Sequence, residues 1–226
     1  MTSKLPLLSL LETRVLGVLV EKEHTVADTY PLSLNALTSG CNQKSNRDPV
    51  IDASEAEVQA AVDALKARTL VIESSGMRVA RYSHNIARVL RVPDQAVALL
   101  AALMLRGAQT SAELRMGTER LHRFADISSV EAFLDELAGR AEEQGGALVQ
   151  KLGRRPGERE WRWMHCLSGP PTDVGAGATA ADPSGSADVS VAEIAALKAH
   201  VGRLEDEVSQ LRDRFDKLTR ELGVSS

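Results

Sequence analysis

Cysteine and aromatic residues are both scarce: the chain has Cys41 and Cys166 only, and aromatics make up 3% of its 226 residues. Two distant cysteines without a CxxC spacing exclude a disulfide framework and a zinc knuckle, so both are expected as free thiols in a reducing compartment. So few aromatics leave no stacking platform for single-stranded nucleic acid. The longest apolar run, Ala96 to Leu105, is about half of the ~20 residues that span a bilayer. Near the start, Leu5 to Val20 is broken by Glu12 and Arg14 and is followed by no small-residue cleavage site, so the expectation is a cytoplasmic protein with no membrane partner.

Neither sign of charge dominates, since the formal net charge is −4. Residues 1–92 carry 11 basic and 10 acidic side chains, residues 93–169 carry 10 and 11, and residues 170–226 carry 6 and 10. The acidity therefore sits in the tail, and either earlier segment can still present a basic face. Catalytic signatures are also missing. His24, His84, His122, His165 and His200 fall singly, with no HxH or HxxxH pair, and there is no Walker loop, GxGxxG or GxSxG. No metal, cofactor or enzymatic activity is expected.

What is present is one plan written twice. Leu11, Val15, Val18 and Leu19 share a helical face, as do Val97, Leu100, Ala101 and Met104. Tyr30-Pro31 then suits the first turn of a second helix carrying Leu32, Leu34 and Leu37, and Thr110-Ser-Ala-Glu113 is a capping box leading into Leu114. Third helices open at the boxes Ser54-Glu-Ala-Glu57 and Ser128-Ser-Val-Glu131, with apolar faces Val58, Ala61, Val62, Leu65 and Val130, Phe133, Leu134, Leu137. Strand pairs follow, Leu70–Ile72 with Val79–Tyr82 and Leu148–Val149 with Trp161–His165, around turns holding Gly76 and Gly153, Pro156 and Gly157. Trp161 and Trp163 alternate along one strand and are expected to cover the second core together. Helix, helix, helix, hairpin is the plan of a winged helix.

The predicted fold class is thus mainly α with small β-hairpins (α+β): tandem winged-helix domains at 1–92 and 93–168, a flexible linker at 169–189 and a coiled-coil helix at 190–224. Residues 168–190 are rich in Gly, Ala, Pro, Ser, Thr and Asp and hold too little apolar surface to order themselves. Beyond them Ile194, Val201, Val208, Phe215 and Leu222 occupy heptad position a, and Leu197, Leu204, Leu211 and Leu218 occupy d. This combination favours a parallel two-stranded coil, hence a homodimer, with antiparallel pairing and packing on the same chain as alternatives.

Three segments concentrate donors for a phosphate backbone. Met77 to Pro93 holds Arg78, Arg81, Arg88 and Arg91 with no acid; the second wing holds Arg154, Arg155, Arg159 and Arg162; Asn42 to Arg47 adds Lys44, Asn46 and Arg47. Arginines in hairpins also serve as solvated or cross-strand-paired residues, and the Asn42–Arg47 segment is equally a loop that caps neighbouring helices. The third helices hold Glu55 and Glu57 in one unit and Glu131, Asp135 and Glu136 in the other, which opposes the usual major-groove docking.

Tyr30-Pro-Leu-Ser33 with Cys41-Asn-Gln-Lys-Ser-Asn-Arg-Asp-Pro-Val50, Leu105-Arg-Gly-Ala-Gln-Thr110 with Glu113-Leu-Arg115, and Arg155-Pro-Gly-Glu-Arg159 before Met164-His165 together resemble the YceH-like family of bacterial proteins of unknown function. The resemblance covers about residues 7–168 and implies a tandem winged-helix fold, but no substrate, cofactor or catalytic residue. The leading functional expectation is a dimeric DNA-binding or DNA-associated regulator contacting duplex phosphates through Arg78, Arg81, Arg154, Arg155 and Arg159, with Lys44, Asn46 and Arg47 as additions. The alternative is an adaptor whose winged-helix units grip a partner protein.

Overall fold

Ser9 opens the first helix: its hydroxyl accepts the Glu12 backbone N–H at 3.2 Å, and the Glu12 carboxylate accepts the Ser9 N–H at 2.6 Å. The helix so started, α1 (Leu10–Thr25), begins the computed structural model, which describes residues 7–74, 79–154 and 160–171. All of these lie in one compact unit, Met1–Ala178. The expected linker, from residue 172 onward, and the heptad positions Ile194 to Leu222 fall outside the described residues.

After α1 come β1 (Leu32–Ser33), α2 (Leu34–Cys41), α3 (Glu55–Ala67), β2 (Val71–Ser74), β3 (Arg81–His84) and the short α4 (Ile86–Leu90). The second set is α5 (Asp94–Arg106), β4 (Gln109–Thr110), α6 (Ser111–Gly117), α7 (Ile127–Ala138), β5 (Val149–Lys151) and β6 (Arg162–His165). The class is α+β and winged-helix-like, with two antiparallel three-stranded sheets ordered β1-β3-β2 and β4-β6-β5.

Several boundaries differ from the sequence expectation. Pro31 does not start a helix; it precedes β1, and α2 begins at Leu34 because the Ser33 hydroxyl accepts the Ala36 N–H. The third helix of the second set starts at Ile127 rather than after Ser128, since the Asp126 carboxylate, a stronger acceptor than a serine hydroxyl, takes the Ser129 N–H at 2.7 Å. Each hairpin gains a third strand, β1 or β4, too short to show a period of two. Trp163 is buried, whereas Trp161 lies just before β6 and is 41% exposed, so the two indoles do not cover the core together.

The two sets coincide residue by residue when matched by strand register and helix N-cap. Ser33 pairs with Arg81 as Thr110 pairs with Arg162, and Val71 pairs with His84 as Val149 pairs with His165. From caps Ser54 and Asp126, the buried residues Val58, Val62 and Leu65 correspond to Val130, Leu134 and Leu137. Even the strand-end bonds repeat: Asn85 N–H to Leu70 O and Cys166 N–H to Leu148 O are both 2.8 Å.

One hydrophobic core runs through both sets. Every residue of α5 from Ala96 to Leu105 is buried, because α1 covers a face that a lone winged helix would leave to solvent. Where these helices meet, a Cβ on Gly17 would lie 2.8 Å from Leu105 Cγ, so the glycine permits the close approach.

Candidate functional site

The Asn42–Asp48 loop is built from beneath by two arginines. Arg14, in the second turn of α1, is fully buried; Nη1 donates to Cys41 O at 3.1 Å and Nη2 to Pro49 O at 2.6 Å. Arg47 has a side chain with 0% exposure, donating from Nε to Gly40 O and in a two-toothed pair to Glu21, at 3.2 and 2.5 Å. Asn42 adds a reciprocal pair with the Ala53 backbone, both bonds 2.8 Å. Burial pushes the Glu21 carboxyl up, but the Arg47 hydrogen bonds and charge more than reverse this and leave it below the ordinary range. Burial, with Arg47 nearby, lowers Arg14, whose Nε finds no partner among the described residues.

The expected phosphate-facing residues therefore divide. Arg47 is an interior ion pair and presents no free charge at the surface. Lys44 and Asn46 are exposed, and Asn46 holds a left-handed backbone (φ 57°) while its carbonyl accepts from Arg47 Nη1. Arg81 is half-buried and donates from Nη1 to Pro31 O at 2.8 Å and to Thr29 O at 3.2 Å. Its counterpart Arg162 does the same, from Nη1 to Ala108 O at 3.0 Å and to Glu113 at 3.2 Å. Arg154 is exposed and stacks 4.6 Å from the Trp161 ring centroid, with Lys151 at 5.6 Å. Arg78, Arg155 and Arg159 lie outside the described residues.

The faces that a winged helix turns outward are acidic. On α3, Glu55, Glu57 and Asp63 are exposed, while Lys66 pairs with Glu73 and Asp63, and Arg68 at its end pairs with Glu12. On α7, Glu131, Asp135 and Glu136 are exposed, and the helix contains no cation.

Sequence reasoning missed a cleft of about 800 Å³ where the loop faces the second set. Gln43, Asn46 and Asp48 form one wall, Arg106, Gln109 and Arg162 the other. The backbone joins them, since Asp48 N–H donates to Leu105 O at 2.8 Å. The motifs at Cys41–Val50 and Leu105–Thr110 thus meet at one place, a convergence that no spacing along the chain announces. Two ion pairs lie in the cleft lining, Lys22–Glu21 at 3.4 Å and Arg162–Glu113 at 3.2 Å.

Burial pushes the Cys41 thiol up to about 12, opposed only in part by Arg14 and Arg47, and holds His165 down at about 4. Both cysteines are free. Among the described residues no three His, Cys, Asp or Glu side chains gather as metal ligands, and no helix is long and apolar enough to cross a membrane.

An α+β, winged-helix-like chain with a buried arginine loop matches the family model described as a protein of unknown function, DUF480, over residues 8–158. The chain belongs to this bacterial family. It is 59% identical over 223 residues to a UPF0502 protein of Methylibium petroleiphilum, covering 97% of this chain and 92% of the relative. It is 57% identical to one of Burkholderia cenocepacia (95% and 89%) and 56% identical to one of Dechloromonas aromatica (98% and 100%).

Proposed function

We propose that this chain is a protein-docking module without catalytic activity, built from two tandem winged-helix units and dimerised by the heptad helix of residues 194–222. The observation that carries this reading is the pair of exposed acidic third helices. A major groove is walled by phosphates, so Glu55, Glu57 and Asp63 or Glu131, Asp135 and Glu136 would meet like charge there, whereas a basic protein surface would be attracted. Support also comes from the arginines: Arg47 and Arg81 are spent on internal carbonyl and carboxylate partners. Burial raises the Cys41 thiol and keeps His165 neutral, so neither of these two groups is poised as a nucleophile or a general acid.

A second reading, duplex DNA held by the second wing, is favoured by exposed Lys151 and Arg154 around Trp161. The two separate cleanly. The full chain is expected to retain a stoichiometric protein from nuclease-treated lysate and to bind duplex no tighter than the nonspecific range, about 10⁻⁴ to 10⁻⁶ M at physiological salt. Tighter duplex binding, with a salt slope flattened by Arg154→Ala and no protein retained, would replace the first reading with the second.

A further inference from the structure

Beside α7 lies a slot of about 200 Å³ lined by Ala112, Ile127, Glu131, Glu160, Trp161 and Trp163. Ile127 is 44% and Trp161 41% exposed, and neither glutamate has an ion-pair partner among the described residues. Ile127 and Glu131 stand one helical turn apart on the same face. Exposed apolar side chains scattered singly are ordinary, but here an isoleucine and a tryptophan share one concavity rimmed by carboxylates.

In the first set the corresponding residues pair with one another. By strand register and N-cap, Ala112 corresponds to Asn35, Ile127 to Glu55, Glu131 to Gln59, Trp161 to Ala80 and Trp163 to Tyr82. There Asn35 Nδ2 donates to Glu55 at 3.0 Å and the Tyr82 hydroxyl to Gln59 at 3.2 Å, so the four polar residues satisfy one another. In the second set none of those pairs exists. An alanine replaces the amide, an isoleucine replaces its acceptor, and the indole of Trp161 stands where the first set has a methyl group.

We propose that this slot is the docking site for a short segment of another protein in which an apolar side chain lies beside a lysine or arginine. The inference rests on the protein-docking reading and names the partner's chemistry. An aliphatic or aromatic side chain fits between Ile127 and Trp161, and tryptophan is a residue type that concentrates binding energy when a partner desolvates it. The neighbouring cation reaches Glu131 or Glu160. A nucleic acid is the wrong occupant, because both carboxylates would face its phosphates. Lys151 lies over both Trp161 and Trp163, at 5.6 and 5.2 Å, and Arg154 over Trp161, but neither cation lines the slot itself.

The test is panning of a random dodecapeptide display library against the full chain, with an Ala112→Asn, Ile127→Glu double variant as counter-target. That variant installs the first set's hydrogen-bonded pair, so it is expected to keep the fold, checked by circular dichroism, while closing the slot. Enriched sequences are expected to place Leu, Ile, Met or Phe within two residues of Lys or Arg. Both tryptophans of the chain line the slot, so an enriched synthetic peptide should shift their fluorescence saturably. Its affinity should fall at least about tenfold with the double variant and again with Glu131→Lys. No enrichment over the counter-target, or enriched peptides without a basic residue, overturns the proposal. A cellular protein retained equally by wild type and double variant leaves the docking function standing and removes the slot from it; peptide binding with no protein retained does the reverse.

Discussion

Arg81 and Arg162 hold the same position in the two halves of the fold, each the middle-strand partner of a helix N-cap, Ser33 or Thr110, and each donating to the carbonyl two residues before that cap. A surface cation recruited only for a ligand need not recur with the same backbone acceptor. The repetition identifies a lock between the middle strand and the turn that launches the second helix.

Arg81→Ala is therefore expected to lower folding stability by roughly 1–3 kcal/mol, the usual loss for hydrogen bonds from a charged donor, without changing duplex affinity. Urea denaturation beside a duplex titration checks both. Weakened duplex binding at unchanged stability would return Arg81 to the nucleic-acid surface.

Arg47→Ala should be costlier, about 3–5 kcal/mol, because it leaves the Glu21 carboxylate, 15% exposed, without its two-toothed partner. Glu21 is also a source of acid sensitivity. Its folded pKa lies below the unfolded 4.5, so its stabilisation is complete above that value and is lost as pH falls through the lower folded one. In Arg47→Ala, thermal melts should show less loss of stability below pH 4.5 than wild type.

His165 acts in a higher window. Burial holds its folded pKa at about 4 against 6.5 unfolded, so between those values the unfolded chain binds a proton that the folded chain does not. Stability should be full above pH 6.5, fall as pH drops towards 4 and level off below, a change of up to about 3 kcal/mol. His165→Leu should flatten this region of the stability profile. A profile unchanged by the substitution would show that the imidazole is protonated in place.

At the α1–α5 crossing, Gly17→Ala puts a methyl group 2.8 Å from Leu105 Cγ and should destabilise by about 1–3 kcal/mol through overpacking. Trimming the neighbour should restore part of the loss. In a double-mutant cycle, Gly17→Ala with Leu105→Ala is expected to be less damaging than the sum of the single changes.

Much of the local architecture was legible in the chain. The boxes at Ser54–Glu57 and Thr110–Glu113 form as their spacing requires, since both partners lie within one turn. The apolar faces of α3 and α7 are buried where the helical period places them, except that Phe133 is only half-buried. Asp126 displaced Ser128 as a cap because a carboxylate and a hydroxyl competed two residues apart, a contest that a motif does not weigh. Trp161 and Trp163 share the alternation of a strand, yet β6 begins only at Arg162, and Trp161 is left outside the core.

The roles of the cations depended on distance through space. Sequence by itself determined the main helices, the caps at Ser54 and Thr110 and the apolar faces of α3 and α7, because those follow from interactions among neighbours three or four positions apart. Only the tertiary structure decided that Arg14 and Arg47 lie inside, that two separated motifs meet at one cleft, and that the residues lining a slot in the second set have counterparts hydrogen-bonded to one another in the first. Arg47 finds Glu21 across 26 residues and Arg14 finds Pro49 across 35. An arginine's charge and length are the same whether it faces water or a carbonyl, and only the folded chain fixes which it meets.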